Sequence, residues 1–461
     1  MLPPDALQAL RAALGADRVF DDTTSCALYA SDETPRSVMP LAVLFPASHD
    51  HVAALMRIAY AHRLALTPRG AGSGNVGGAL PAPGSLVVSF ECMQRVLEFD
   101  PANRLIRVEA GIVIDTLNQL ALSAGLFYPP DPGSSAYCQL GGNLAMNAAG
   151  PHAVKYGTTR DYVLGLRAIT GDGRELLTGC RTTKGVTGFD LTRLLIGSEG
   201  TLALITEATL KLLPAPEATA TLRVCFNHNR AALNAVQRVM SQAVIPSALE
   251  FMDRRAIDAI RQMGAADDLP PDTQALLMVE ADGAADDLPR QIAALQQSLA
   301  GEGLLEIQQG ATREAVAQLW RARKSLSHAV KRIAPLKINE DIVVPVSQLA
   351  DLVDCVDAAT LDARIPVVTF GHAGNGNLHV NLMVNPDDDD EMQRAHACLD
   401  AIMHKVLALG GTLSGEHGIG TEKRRFLPLE INPATLALMR QIKTQFDPLA
   451  LLNPGKLFPD S

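Results

Sequence analysis

Residues 72–77 read Gly-Ser-Gly-Asn-Val-Gly, the spacing of the GxGxxG phosphate-binding loop of βαβ units. The residues after Gly77 exclude that fold. In a βαβ unit the loop opens a helix whose N-terminus faces the phosphates. Here only Gly-Ala-Leu-Pro-Ala-Pro-Gly separates Gly77 from the strand-like run Ser85–Phe90, and its prolines leave no room for a helix. The glycines still expose backbone N–H groups that can form a concave anion nest. A flexible hairpin turn is the plainer explanation of the loop taken alone.

A second small-residue region weighs against the plainer explanation. Residues 129–160 are dense in Gly, Pro, Ser and Asn, and a loop that long in a compact domain is usually functional. Gly141-Gly142-Asn143, Asn147, Gly150 and Gly197-Ser198-Glu199-Gly200-Thr201 add more small residues and amide side chains. Repeated close backbone approach of this kind suits a long, extended cofactor with a diphosphate and a planar ring.

At 461 residues the chain should hold two domains or more. Residues 41–67 read as strand, helix, strand. Further strands are expected over 103–112, 162–170 and 173–178, and a helix over 114–124. Beyond Pro214 strands (219–226, 275–282) alternate with helices (229–243, 287–301), the pattern of an α+β domain with an antiparallel sheet. The expected division is 1–215, 216–420 and a C-terminal segment 421–461 that packs back on the first domain. The net charge of −10, with no basic stripe, argues against nucleic acid as a partner. Seven cysteines without any CxxC exclude a local iron–sulfur or zinc-ribbon motif and suit a reducing cytosol. No signal peptide or spanning run is visible, so a cytoplasmic protein is expected, with docking at the inner membrane face left open.

Two stretches are rich in histidine and glycine. Residues 371–381 carry His372 and His379, and 414–420 read Ser-Gly-Glu-His-Gly-Ile-Gly. His372, His379 and Glu416 form a suitable His₂Glu ligand set for a divalent metal with a position open to substrate. Two satisfied histidines in a Gly/Asn loop are the alternative. The HExxH signature of metalloproteases is absent. His417, beside Glu416, is poorly placed to share the ion but can face a substrate and take a proton near neutral pH.

Residues 68–80 (PRGAGSGNVGGAL), 128–135 (YPPDPGSS), 141–165 and 194–214 (LLIGSEGTLALITEATLKLLP) resemble the FAD-binding half of the vanillyl-alcohol oxidase (PCMH-type) flavoenzymes, which bind FAD without a Rossmann fold. Residues 371–383 (GHAGNGNLHVNLM), 414–427 (SGEHGIGTEKRRFL) and 453–456 (NPGK) are similar to the branch that oxidises D-2-hydroxy acids: the D-lactate, glycolate and D-2-hydroxyglutarate dehydrogenases. The resemblance implies an α+β fold, with a PCMH-type FAD domain, an antiparallel-sheet substrate (cap) domain and a C-terminal helical segment. It implies FAD contacts from Pro68, Arg69, Gly70, Gly72, Ser73, Gly74 and Asn75, and from Pro130 and Asp131. Further contacts are implied from Gly141, Gly142, Asn143, Asn147, Gly150, Tyr156 and Gly157, and from Glu199, Gly200, Ile205 and Asn453. Some relatives attach FAD through a histidine in the glycine loop; residues 69–79 contain neither His nor Cys, so noncovalent FAD is expected.

The same resemblance implies Zn²⁺ on His372, His379 and Glu416, His417 as the base for the substrate hydroxyl, and hydride transfer to the flavin. Arg323 matches the position that grips the substrate carboxylate through its planar fork. Asn381 shares a strand face with His379 and can hydrogen-bond the substrate. Lys337 is a candidate for a second carboxylate, as D-2-hydroxyglutarate would need. The spacing to Pro345 instead puts Asn339 at that place, which favours a shorter acid, D-lactate or glycolate. The electron acceptor (a quinone, a cytochrome or an electron-transferring flavoprotein) and homodimerisation stay open. Two rivals are a metal-dependent hydrolase and a noncatalytic FAD-fold subunit of an oxidase complex, the latter expected to lack the histidines.

Overall fold

The computed structural model describes residues 2–264, 266–310 and 312–459. The chain forms two compact units: Met1–Gly150, Gly157–Ala215 and Glu416–Ser461 in the first, Pro151–Tyr156 and Pro216–Gly415 in the second. Residues 416–420 thus belong to the first unit and 151–156 to the second, where the sequence placed them the other way round.

In the first unit, β1 (Val19–Phe20), β2 (Ala42–Leu44), β3 (Leu66–Arg69) and β4 (Leu86–Ser89) form one sheet in the order β1-β2-β4-β3. β2 and β3 both run parallel to β4. Helix His49–His62 links β2 to β3, opened by Ser48, whose hydroxyl accepts the His51 N–H. Its Val52, Leu55, Met56 and Ala59 line one stripe and share a core with Leu44, Leu66 and Leu86. The glycine loop joins β3 to β4 with no α-helix between them.

The rest of this unit is antiparallel. β5 (Val96–Asp100), β6 (Leu105–Glu109), β8 (Val163–Thr170), β9 (Glu175–Gly179) and β10 (Ala203–Lys211) order as β5-β6-β10-β8-β9, and β7 (Leu126–Phe127) pairs with β11 (Leu213–Pro214). The long stretch 129–160, expected as a loop, contains a helix at Leu140–Met146. Buried Leu140 and Leu144 hold it despite two glycines, and Asn147 ends it at φ +52°, a conformation Asn tolerates well. The chain end docks beside β3: Leu66 N–H donates to Leu451 O (2.8 Å) and Asn453 N–H to Leu66 O (2.7 Å).

The second unit is a seven-stranded sheet ordered β15-β12-β14-β13-β17-β18-β16, antiparallel throughout. Its strands are β12 (Ala218–Phe226), β13 (Ala248–Met252), β14 (Ala275–Gly283), β15 (Leu304–Gly310), β16 (Leu336–Val343), β17 (Val367–Gly371) and β18 (Asn377–Val384). Helices Arg254–Arg261 and Arg313–Val330 pack on the face carrying Cys225, Met252, Met278, Phe370 and Met383. Residues 371–381, a Gly/Asn-rich stretch with His379 and Asn381 expected on one strand face, are the end of β17, a tight turn and the start of β18. The turn needs its glycines, since a Cβ on Gly376 (φ +76°) would lie 1.9 Å from Val344 O.

Asp253 ties helix Arg254–Arg261 to β17. Its carboxylate caps the helix through the Ala256 N–H (2.7 Å) and also accepts the Thr369 N–H (2.7 Å) while nearly buried. Asp253→Ala should orphan both donors and cost about 2–3 kcal/mol, read as a lower urea midpoint with an unchanged m-value.

Candidate active site

In the first unit the glycine loop is braced from beneath. Arg69, at the end of β3, is buried; its Nη1 donates to Ser31 O at 2.7 Å and its guanidinium lies 5.6 Å from the Tyr29 ring centre. Gly72 (φ +75°) rests on that guanidinium so closely that a Cβ would meet Nη2 at 2.1 Å. Asn453 Nδ2 donates to Gly78 O (3.1 Å) and Glu199 O (2.7 Å), and Lys456 Nζ to Gly78 O (2.9 Å) and Leu80 O. Burial pushes the Lys456 ammonium down to about 7.

Other expected FAD residues do structural work. Asn147 Oδ1 accepts from Arg160 N–H (2.9 Å), and Gly150 lies against Asp131, where a Cβ would meet the carbonyl at 2.3 Å. Gly200 packs on Pro68, and Ile205 is buried in β10. Tyr156 falls in the second unit, its hydroxyl donating to Asp282 at 2.8 Å. Both Glu199 carboxylate oxygens accept backbone amides, from Ile419 and Gly420, each at 2.7 Å. Burial pushes the Glu199 carboxyl up, against the pull of those two donors and of Lys456 and Lys423.

Does this region fit FAD? Cβ positions on Gly74 and Gly142 meet nothing within 4 Å, so backbone there can be approached closely. Gln139, beside Gly70, buries an Oε1 with no hydrogen-bond partner among the described residues, as does Asn453 with its Oδ1. Close backbone access beside unsatisfied amide oxygens suits a cofactor with N–H and hydroxyl groups. Gln139 escaped the sequence reading, which attended to the glycines that come after it.

In the second unit β17 and β18 bring His372 and His379 together, ring centres 5.3 Å apart and edge-to-face. His372 Nδ1 bonds to Glu250 Oε1 at 2.6 Å, which fixes the orientation of the ring. The second oxygen of Glu250 accepts Arg323 Nε at 2.9 Å. Burial raises the Glu250 carboxyl, but the charges and hydrogen bonds of His372 and Arg323 outweigh it and hold the group down at about 2. The Arg323 guanidinium also sits 5.0 Å from the Phe370 ring centre.

The pleat gathers further expected residues on that face. Asn339 is the register partner of Asn381, Asp341 of His379 and Lys337 of Met383 across β16–β18. Asn381 is fully buried, with Nδ2 on Val368 O (3.0 Å) and His379 O (3.1 Å). Its Oδ1, like that of Asn339, has no hydrogen-bond partner among the described residues. Asp341 accepts Asn377 Nδ2 (2.7 Å), Ser414 Oγ (3.1 Å) and Gly415 N–H (2.9 Å), fixing the chain just before Glu416. Glu416 and His417 begin the last segment of the first unit, with His417 Nε2 3.9 Å from Glu416 Oε1. Glu250 and Asp341 were missed, although an acidic residue inside an apolar strand run was the available signal.

Two family descriptions match the chain: "FAD linked oxidases, C-terminal domain" over residues 215–457 and "FAD binding domain" over 40–179. The chain belongs to the FAD-linked oxidase family, with a PCMH-type FAD-binding domain. It is 36% identical over 459 residues to the glycolate oxidase subunit GlcD of Bacillus subtilis (strain 168), covering 99% of this chain and 97% of that one. It is 32% identical to a D-lactate dehydrogenase of Anaerostipes hadrus (89% and 88% covered) and 32% identical to a D-2-hydroxyglutarate dehydrogenase of Stutzerimonas stutzeri (strain A1501; 99% and 100%). Among solved structures, p-cresol methylhydroxylase with substrate bound shares the fold at a TM-score of 0.81 and 15% identity, covering 99% of this chain and 96% of that one. Among the described residues, no helix is long and apolar enough to cross a membrane.

A Cβ on Gly142 meets nothing within 4 Å among the described residues, so Gly142→Ala tests the flavin's place without disturbing the fold. In the flavin-stripped protein, Gly142→Ala should be neutral or stabilising by up to about 1 kcal/mol, since Ala favours helix. FAD titration should show weaker binding in the variant; unchanged affinity would place the flavin elsewhere.

Proposed function

We propose that the protein is an FAD-dependent dehydrogenase that oxidises a D-2-hydroxy acid to the 2-oxo acid, D-lactate favoured and glycolate next. The observation that carries it is the edge-to-face imidazole pair His372 and His379, backed by buried Glu250 in a chain with an FAD-binding domain. The named relatives act on acids of this class and support the reading. A hydrolase built on the same histidines would leave the FAD-binding domain without a role.

His372 and His379, with Glu416, are the residues that would hold a divalent ion. Two imidazoles and a carboxylate favour zinc, which would polarise the hydroxyl and carboxylate of the substrate. FAD, when bound, supplies the hydride acceptor. His417 takes the hydroxyl proton on a ring nitrogen, a role suited to an imidazole near neutral pH. Arg323, its Nε held by Glu250, offers its remaining fork to the substrate carboxylate. Asn381 contributes a buried amide beside His379 and receives the substrate's polar groups.

Asn339 opposite Asn381 presents a neutral amide, which suits an acid with one carboxylate. The second reading, D-2-hydroxyglutarate, draws on Lys337, which lies on the same face two residues before Asn339. The electrons pass on to a separate acceptor, with a quinone, a cytochrome or an electron-transferring flavoprotein as the classes to try.

Mixed anaerobically with each acid, the holoenzyme should lose its flavin absorbance fastest with D-lactate, more slowly with glycolate and slowest with D-2-hydroxyglutarate. His417→Gln should keep its flavin and slow bleaching by about 10²–10⁴-fold. Fastest bleaching by D-2-hydroxyglutarate would hand the substrate to the second reading, and no bleaching by any acid would sink the proposal. Glu250→Gln should weaken zinc binding by roughly 10–100-fold in a chelator competition, because His372 loses the partner that orients it.

A further inference from the structure

We infer that Glu199 is a positioning residue for His417, holding the turn that carries it. The inference rests on the reading of His417 as the base.

The stretch Ser414–Gly420 is anchored by a buried carboxylate near each end. In the second unit Asp341 accepts from Ser414 Oγ and Gly415 N–H. In the first unit Glu199 accepts from Ile419 and Gly420 N–H, one amide on each oxygen, at 2.7 Å. Between the anchors lie Glu416, His417 and Gly418. Each Glu199 oxygen is thus committed to main chain of the turn that follows His417.

The backbone of Glu199 supports the assignment. Its φ is +55°, a left-handed conformation that Gly or Asn enters far more easily than Glu. The position is pinned from both sides, by Glu199 N–H on Ala145 O (2.8 Å) and by Asn453 Nδ2 on Glu199 O (2.7 Å). A strained conformation fixed by its neighbours is expected where the side chain has a task. The turn it holds has no slack. A Cβ on Gly418 (φ +86°) would meet Met146 Cε at 2.4 Å and Glu199 Oε1 at 2.9 Å, and one on Gly420 (φ +53°) would meet Val76 O at 2.0 Å. Thr421 N–H then bonds Val76 O (2.8 Å), which ties the turn after His417 to the glycine loop. A loose turn would let the imidazole wander by an ångström, a displacement that costs rate far more than affinity.

The test compares wild type, Glu199→Gln and Glu199→Asp as flavin-loaded holoenzymes, by steady-state kinetics and by amide hydrogen exchange of the 414–424 segment. Glu199→Gln should keep its flavin spectrum and a KM within about threefold, while kcat falls on the order of 10–100-fold. The 419 and 420 amides should exchange at least about tenfold faster. Glu199→Asp keeps the charge and should recover part of each loss; it carries the comparison if the Gln variant does not fold. Wild-type kcat and exchange in Glu199→Gln would overturn the inference, as would loss of FAD with those amides still protected. Exchange does not depend on turnover. A wild type that oxidises no hydroxy acid, with 419–420 exchange still governed by Glu199, would therefore overturn the proposed reaction and leave the anchor standing.

Discussion

Glu250 sits fully buried on β13, the middle strand of the seven-stranded sheet, with His372 on one carboxylate oxygen and Arg323 on the other. A carboxylate there is tolerable only because both oxygens are met, and removing either partner would strand a buried charge. That requirement fixes three things at once: the Arg313–Val330 helix against the sheet, the Arg323 guanidinium beside Phe370, and the His372 ring with Nδ1 turned inward. The imidazole pair arises from β17 and β18 being neighbours, since Phe370 and His379 are register partners and His372 is two residues on.

Carboxylates recur as organisers in both units. Asp253 joins a helix cap to β17, Asp341 gathers Asn377, Ser414 and Gly415, and Glu199 gathers Ile419 and Gly420. Asp253 and Glu199 each accept two backbone N–H groups and Asp341 one, donors that are fixed by the fold and cannot rotate away. Chemistry-bearing residues are thus set on main chain held by buried carboxyl groups. The glycines at 376, 418 and 420 do the complementary work, allowing approaches that a Cβ would forbid.

Much of this was legible in the sequence, for physical reasons that differ by region. The prolines after Gly77 excluded a helix, and the structure joins β3 to β4 without one. The strand–helix alternation after Pro214 did mark an antiparallel sheet. The glycines between His372 and His379 marked a turn, and the structure shows why they are needed: the tight hairpin approaches Val344 too closely for a Cβ on Gly376. The helix at Leu140–Met146 was hidden because its low intrinsic propensity is overridden by burial of Leu140 and Leu144. Glu250 and Asp341 stayed hidden because their partners, His372 and Arg323 for the one and Ser414 for the other, are remote in sequence and meet them only in the folded chain.

The central claim is that the imidazole pair is a metal centre. Anomalous diffraction at the zinc absorption edge, on crystals of the holoenzyme grown with equimolar zinc, tests it most directly. The account predicts one strong peak within bonding distance of His372 Nε2 and a His379 ring nitrogen, about 2.0–2.1 Å from each. No peak there, or full occupancy at a different set of residues, would contradict it.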